Sequence, residues 1–139
     1  MNQRIKVSIV GSNFINLITL TLWLDQFADF DVLGTTGSSE VVNAQIEEFA
    51  PDIVLLDLAA PGPTAISRLR EMKALRKPPA VLLMHQGTSE DLRGPLINES
   101  DGHIGTESPL GDLRDAILLA LKRNAVIARY PFCPVAKAG

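Results

Sequence analysis

Five short apolar runs, each followed by a longer stretch of mixed character, set the rhythm of the chain. Ile5–Val10 (IKVSIV) is rich in β-branched residues and closes at Gly11, which predicts a strand and a turn. Asn13 then suits a helix N-cap, because its side-chain oxygen accepts from the free amides of a first turn. Asp31–Thr35 predicts a second strand, and Ser38 or Ser39 with Glu40 opens a helix to about Ala50, stopped by Pro51. Ile53–Leu56 is the third strand and Ala80–Met84 the fourth. Between them Ile66, Leu69, Met72 and Leu75 recur at three-residue intervals, the mark of an amphipathic helix over Ala65–Arg76. Ser89 to Asn98 reads as a weak helix shortened or kinked by Gly94-Pro95. His103-Ile104 marks a short fifth strand, and Pro109–Arg123 a final helix with proline in its first turn.

Strand and helix alternating in this way imply a parallel sheet with helices on both faces, since parallel strands need right-handed crossovers. The unbroken apolar runs of the third and fourth strands suit central, doubly covered positions. In open sheets of this class the functional crevice lies at the carboxyl ends of the strands. Asp57 stands at such an end, directly after four apolar residues, where burying a charge is costly. Gly11 and Ser12 follow the first strand, and His85 follows the fourth.

The segments IKVSIVGSNF, PDIVLLDLAAPGP, PPAVLLMH and DGHIGTESPLGDLRDAI together resemble the receiver domain of bacterial response regulators. The nearest branch is the one that carries a LuxR-type DNA-binding domain. The resemblance runs from about Arg4 to Arg123. It implies an α/β, flavodoxin-like fold: a doubly wound five-stranded parallel sheet in the order 2-1-3-4-5. It divides the chain into a receiver-like domain over residues 1–124 and an extension or linker over 125–139. The two-proline tail RYPFCPVAKAG is similar to the segment that leads to a DNA-binding output domain.

The resemblance places Asp57 on the phosphoacceptor aspartate, and it implies a histidine kinase or another regulatory protein as partner. Phosphoryl transfer to a carboxylate needs cations to neutralise the transferring oxygens. The family holds Mg²⁺ through an acidic pair after the first strand, and adds a Ser/Thr after the fourth that hydrogen-bonds the new phosphate and a cationic Lys after the fifth. Here Gly11 and Ser12 stand at the acidic pair, His85 at the Ser/Thr position and Thr106 at the lysine, with Glu107 beside it. His103 takes the aromatic switch position. Magnesium affinity follows the number of charged oxygen ligands, so Mg²⁺ is expected to bind weakly or not at all, and no cofactor is expected. The expected function is therefore an atypical, non-enzymatic receiver acting through protein association. The alternatives are a competent phosphoacceptor controlling a transcriptional output, and a small-ligand binder using the vacated cleft. Asp57, His85 and His103 as a transition-metal trio is a minor reading, since their spacing matches no metal motif. Gly11 before a helix is weak as a phosphate cradle, because GSNFIN contains neither nucleotide-binding glycine pattern.

Composition narrows the setting. The chain has 139 residues, of which 46% are hydrophobic and 21% charged, with a net charge of −3. That balance is ordinary for a soluble globular domain and supplies no basic field for nucleic acid. The apolar stretch Phe14 to Phe27 is interrupted by Asn16, Thr19, Thr21, Asp25 and Gln26, too polar for a membrane span. With no secretory signal pattern at the N-terminus, a cytoplasmic location is expected. Cys133 is the single cysteine, which excludes an internal disulfide.

The first helix carries more apolar surface than one docking stripe requires. Leu20, Trp23, Leu24 and Phe27 suit the core, while Leu17 and Ile18 project elsewhere. In the last helix Leu113, Ala116, Ile117 and Ala120 form the inward stripe, Leu118 lies outside it and Leu121 on its margin. Leu17, Ile18 and Leu118 are thus the candidate centre of a homodimer joined through the first and last helices, because a clustered apolar patch marks an interface more often than scattered residues do.

Overall fold

The computed structural model describes residues 4–11, 14–35, 39–57, 63–85, 98–105 and 110–129. Within these segments the side chains of 14–17, 35, 39–40, 63–65, 110–111 and 125–129 fall outside the described set. The strands are β1 Ile5–Val10, β2 Phe30–Thr35, β3 Ile53–Asp57, β4 Ala80–His85 and β5 Gly102–Gly105. They form one sheet in the order β2-β1-β3-β4-β5, and every neighbouring pair is parallel. The helices among the described residues are α1 Phe14–Asp25, α2 Ser39–Phe49, α3 Pro63–Lys73 and α4 Leu110–Arg129. The fold class and strand order expected from the sequence are those observed. Most of the weak helix expected over Ser89–Asn98 lies outside the described residues.

Strand pleating sends alternate residues to opposite faces, and the two cores follow from it. Val7, Ile9, Ile53, Leu55, Leu82, Met84 and Ile104 face Leu20 and Leu24 of α1 and Leu113, Ile117 and Ala120 of α4. Val10, Val54, Leu56, Val81 and Leu83 face Val42 and Ile46 of α2 and Leu69 and Met72 of α3. The first and last helices thus share one face. At Gly102 a Cβ would crowd the tip of Leu82, Cδ1 at 3.2 Å, and come into ordinary contact with Ala120 Cβ of α4 at 3.9 Å.

The last helix corrects one boundary. It runs to Arg129 rather than stopping near Arg123, so the segment read as an extension from residue 125 begins as helix. Ala125, Val126, Ile127 and Ala128 contain no Gly or Pro, and nothing local breaks the ladder before Pro131.

At the amino ends of the strands a polar network ties α3, β4, β5 and α4 together. Lys73 Nζ donates to Asp101 Oδ2 at 2.5 Å, to Pro79 O at 3.0 Å and to Asn124 Oδ1 at 3.2 Å. Asp101 is 4% exposed and also accepts the Val81 amide at 2.8 Å. One turn earlier on α3 the Arg70 guanidinium forks over Glu99, at 3.0 and 2.8 Å. Its hydrogen bonds hold the Glu99 carboxyl below the usual carboxylate range. That contribution is present above the unfolded-state pKa and is lost as pH falls through the folded one; both groups are exposed, so its effect is small.

Ala50, just past α2, has φ 52°, and its amide closes the helix onto Ile46 O at 2.8 Å. This is the left-handed capping position that glycine normally fills. A Cβ there costs roughly 1–2 kcal/mol, against roughly 0.4–1 kcal/mol for the extra unfolded-state freedom of glycine. Ala50→Gly is therefore expected to raise stability by about 0.5–1 kcal/mol, read as an upward shift of the urea midpoint at constant slope. A lower midpoint would show that the alanine is not strained.

Candidate functional site

The carboxyl ends of β1, β3 and β4 meet where the sequence places its candidate residues. β1 and β3 run in register, with Val10 opposite Leu56, so the next residues, Gly11 and Asp57, come side by side. The approach is tight. A Cβ built on Gly11 would stand 3.1 Å from Asp57 Cβ and 3.3 Å from Asp57 Oδ2. A side chain at position 11 would press on Asp57, which would have to give by a few tenths of an ångström to admit it. Asp57 is half-buried and takes part in a polar or ring interaction.

His85 ends β4 and His103 lies in β5. Leu83 pairs with His103, and His85 with Gly105, so the two imidazoles sit diagonally across neighbouring strands. His85 Nε2 lies 3.3 Å from His103 Nδ1, with ring centroids 5.4 Å apart and the planes inclined at 41°. His85 is half-buried and His103 exposed. Nothing in the sequence spacing signalled this contact, since the two residues are 18 positions apart and only the parallel register joins them.

The pleat separates Asp57 from the histidines. Asp57 is in register with Met84, on the face of Leu55 and Ile104, whereas His85 and His103 alternate onto the face of Leu83. The trio considered as metal ligands is thus divided between two sides of the sheet. Among the described residues no group of three His, Cys, Asp or Glu is placed to hold a metal ion. Ser12, Thr106 and Glu107 lie outside the described residues.

The helix surfaces show which apolar residues remain outside the core. On α1, Ile18 is 44% exposed and Leu22 61%. They sit two positions before the buried Leu20 and Leu24, about 200° around the helix, and so face away from the sheet. Leu22 was not among the residues singled out by the sequence reading. Trp23, expected in the core, is 39% exposed; it lies about 100° from Leu24, at the edge of the docking stripe. The side chain of Leu17 falls outside the described set. On α4, Leu118 is half-buried rather than outward, and the outward residue is its neighbour Leu119, 61% exposed. Leu119 lies about 200° from the fully buried Ile117, whereas Leu118 lies only about 100° from it and is half-buried. Among the described residues no helix is long and apolar enough to cross a membrane.

No protein-family model matches the chain. A protein-glutamate methylesterase/protein-glutamine glutaminase of Methylobacillus flagellatus is 26% identical over 147 residues, covering 95% of this chain and 40% of that protein. The chain thus spans less than half the length of this relative. Among solved structures, a LuxR-family two-component response regulator from Aurantimonas sp. SI85-9A1 matches with a TM-score of 0.74 at 18% identity over 86% of each chain. The signal receiver domain of the response regulator NarL from Mycobacterium tuberculosis matches with a TM-score of 0.74 at 17% identity, over 86% of this chain and 98% of that one. The chain has the receiver fold, and the resemblance seen in its motifs agrees with its three-dimensional neighbours.

Proposed function

We propose that this chain is a cytoplasmic signalling module of receiver type that acts by phosphorylation-independent association and not as an enzyme. The observation that carries the reading is the contact between Gly11 and Asp57. A phosphoryl-transfer site works by placing cations around the transferring oxygens. Where receivers carry a metal-binding carboxylate, this chain has a glycine, and a Cβ at that position would stand 3.3 Å from Asp57 Oδ2. A metal-ligating side chain at position 11 would crowd the acceptor, which would have to shift to admit it. A second carboxylate restored at position 11 would meet both the steric contact and the like charge of Asp57.

The outward apolar residues support association as the mode of action. Ile18 and Leu22 on α1 and Leu119 on α4 belong to helices that share one sheet face. The partner proposed is a second copy of the chain, joined through the outer surfaces of these two helices. Asp57 acts here as an inherited strand-end acid, so Asp57→Asn leaves association unchanged.

Intact-mass measurement after incubation with acetyl phosphate and Mg²⁺ tests this reading. Wild type and Asp57→Ala are expected to show the same mass, and millimolar Mg²⁺ is expected to leave the thermal midpoint unmoved. A ligand of the native state stabilises it by RT ln(1 + [L]/Kd), which vanishes when Kd far exceeds its concentration. An adduct that depends on Asp57, or a saturable Mg²⁺ shift, would instead establish a competent phosphoacceptor and restore a histidine kinase as the expected partner.

A further inference from the structure

We propose that His85 and His103 form a two-imidazole binding site for a borderline divalent transition ion, zinc being the reference case. The two ring nitrogens that face each other, Nε2 of His85 and Nδ1 of His103, are 3.3 Å apart. Zinc–imidazole bonds of about 2.0–2.1 Å at a tetrahedral angle put two nitrogen ligands about 3.3 Å from one another. The observed separation matches the bite of a tetrahedral ion. Both histidines stand on strands of one sheet, which holds their backbones more rigidly than loops would. Leu83, which pairs with His103 and shares its face, is fully buried, so the strand beneath the site is anchored in the core. His103 is exposed, leaving its ring free to turn onto an ion and leaving room for water in the open positions.

The chemistry selects the class of ion. Imidazole nitrogen suits Zn²⁺, Cu²⁺ and Ni²⁺, whereas Mg²⁺ requires oxygen ligands. Binding uses neutral rings, with the proton of His85 on Nδ1 and that of His103 on Nε2, so that both facing nitrogens offer lone pairs. An imidazole–imidazole hydrogen bond between the same two atoms is the metal-free arrangement. When the ion binds, the ring that carried the shared proton takes it up on its other nitrogen by exchange with water, and both facing nitrogens become lone-pair donors. Asp57 faces the other side of the sheet and has no part in the site, which makes this inference independent of the proposed function.

The test is calorimetric titration of ZnCl₂ into the chain carrying Cys133→Ser, which removes the thiol as a competing zinc ligand. One saturable site is expected, undisturbed by excess Mg²⁺ and by Asp57→Asn. His103→Ala, at an exposed position, is expected to keep the circular dichroism spectrum and to lower zinc affinity at least tenfold. His85→Ala should do the same wherever it folds, and His103→Ala decides the matter where it does not. Absence of saturable heat up to millimolar zinc, or equal affinity in the folded His103→Ala variant, would overturn the assignment.

Discussion

Replacing Lys73 with methionine is expected to lower stability by about 3 kcal/mol, and the thermal midpoint by roughly 10 °C. Methionine keeps most of the length and apolar stem but removes an ammonium that donates to Asp101, Pro79 and Asn124. The carboxylate left behind is only 4% exposed, and stripping one partner from a buried ion pair costs about 3–5 kcal/mol. The lower end applies because the Lys73 side chain is itself 25% exposed. Adding Asp101→Asn to Lys73→Met should recover a substantial part of the loss, since a neutral amide no longer needs a counter-charge and can still accept the Val81 amide. Denaturant titrations of the four proteins give the coupling energy directly. A single-mutant loss below about 1 kcal/mol would place the pair with ordinary surface salt bridges.

The double substitution Leu22→Glu with Leu119→Glu is expected to convert a sedimenting dimer into a monomer while leaving the circular dichroism spectrum and thermal midpoint of the monomer nearly intact. Each leucine is 61% exposed in the isolated chain, so the change removes little from the fold. Burying a leucine fully is worth roughly 1.5–3 kcal/mol, and in a symmetric pair each substitution acts twice. A tenfold change in equilibrium constant needs only about 1.4 kcal/mol, so two such residues per chain outweigh a moderate dimer affinity. Leu118→Glu makes the contrasting control: its side chain is already half-buried in the isolated chain, and it should cost stability even where association is unaffected. If wild type sediments as a monomer at high micromolar concentration, homodimerisation is wrong. If the double variant unfolds, these leucines contribute to the core.

The order of elements and the fold class were legible because hydrophobic periodicity is a local property. Ile53–Leu56 announces a central strand through four consecutive apolar residues, and Leu69 and Met72 announce the buried side of α3 by their spacing. Asp57 was legible for the same reason, as the first charge after the run. The first helix was only half legible. Its apolar residues surround the axis, so no contrast in the sequence separates Leu24, which is fully buried, from Leu22, which is 61% exposed. On the last helix an error of one position, Leu118 for Leu119, is a rotation of about 100°, and a stripe read by eye does not resolve it at its margin.

What the sequence by itself determined is the alternation of strand and helix, the doubly covered centre of the sheet and the acid at the end of β3, because each depends on residues within a few positions of one another. Tertiary structure decided everything that joins distant segments. The closeness of Gly11 to Asp57 follows from the parallel register of β1 with β3. The meeting of His85 with His103 across 18 positions, and their separation from Asp57, follow from that of β4 with β5 and from the pleat. The Lys73–Asp101 pair, 28 residues apart, exists because α3 ends beside the entry to β5. No one-dimensional pattern carries these contacts, since register and crossover geometry are set only when the whole sheet buries its two faces.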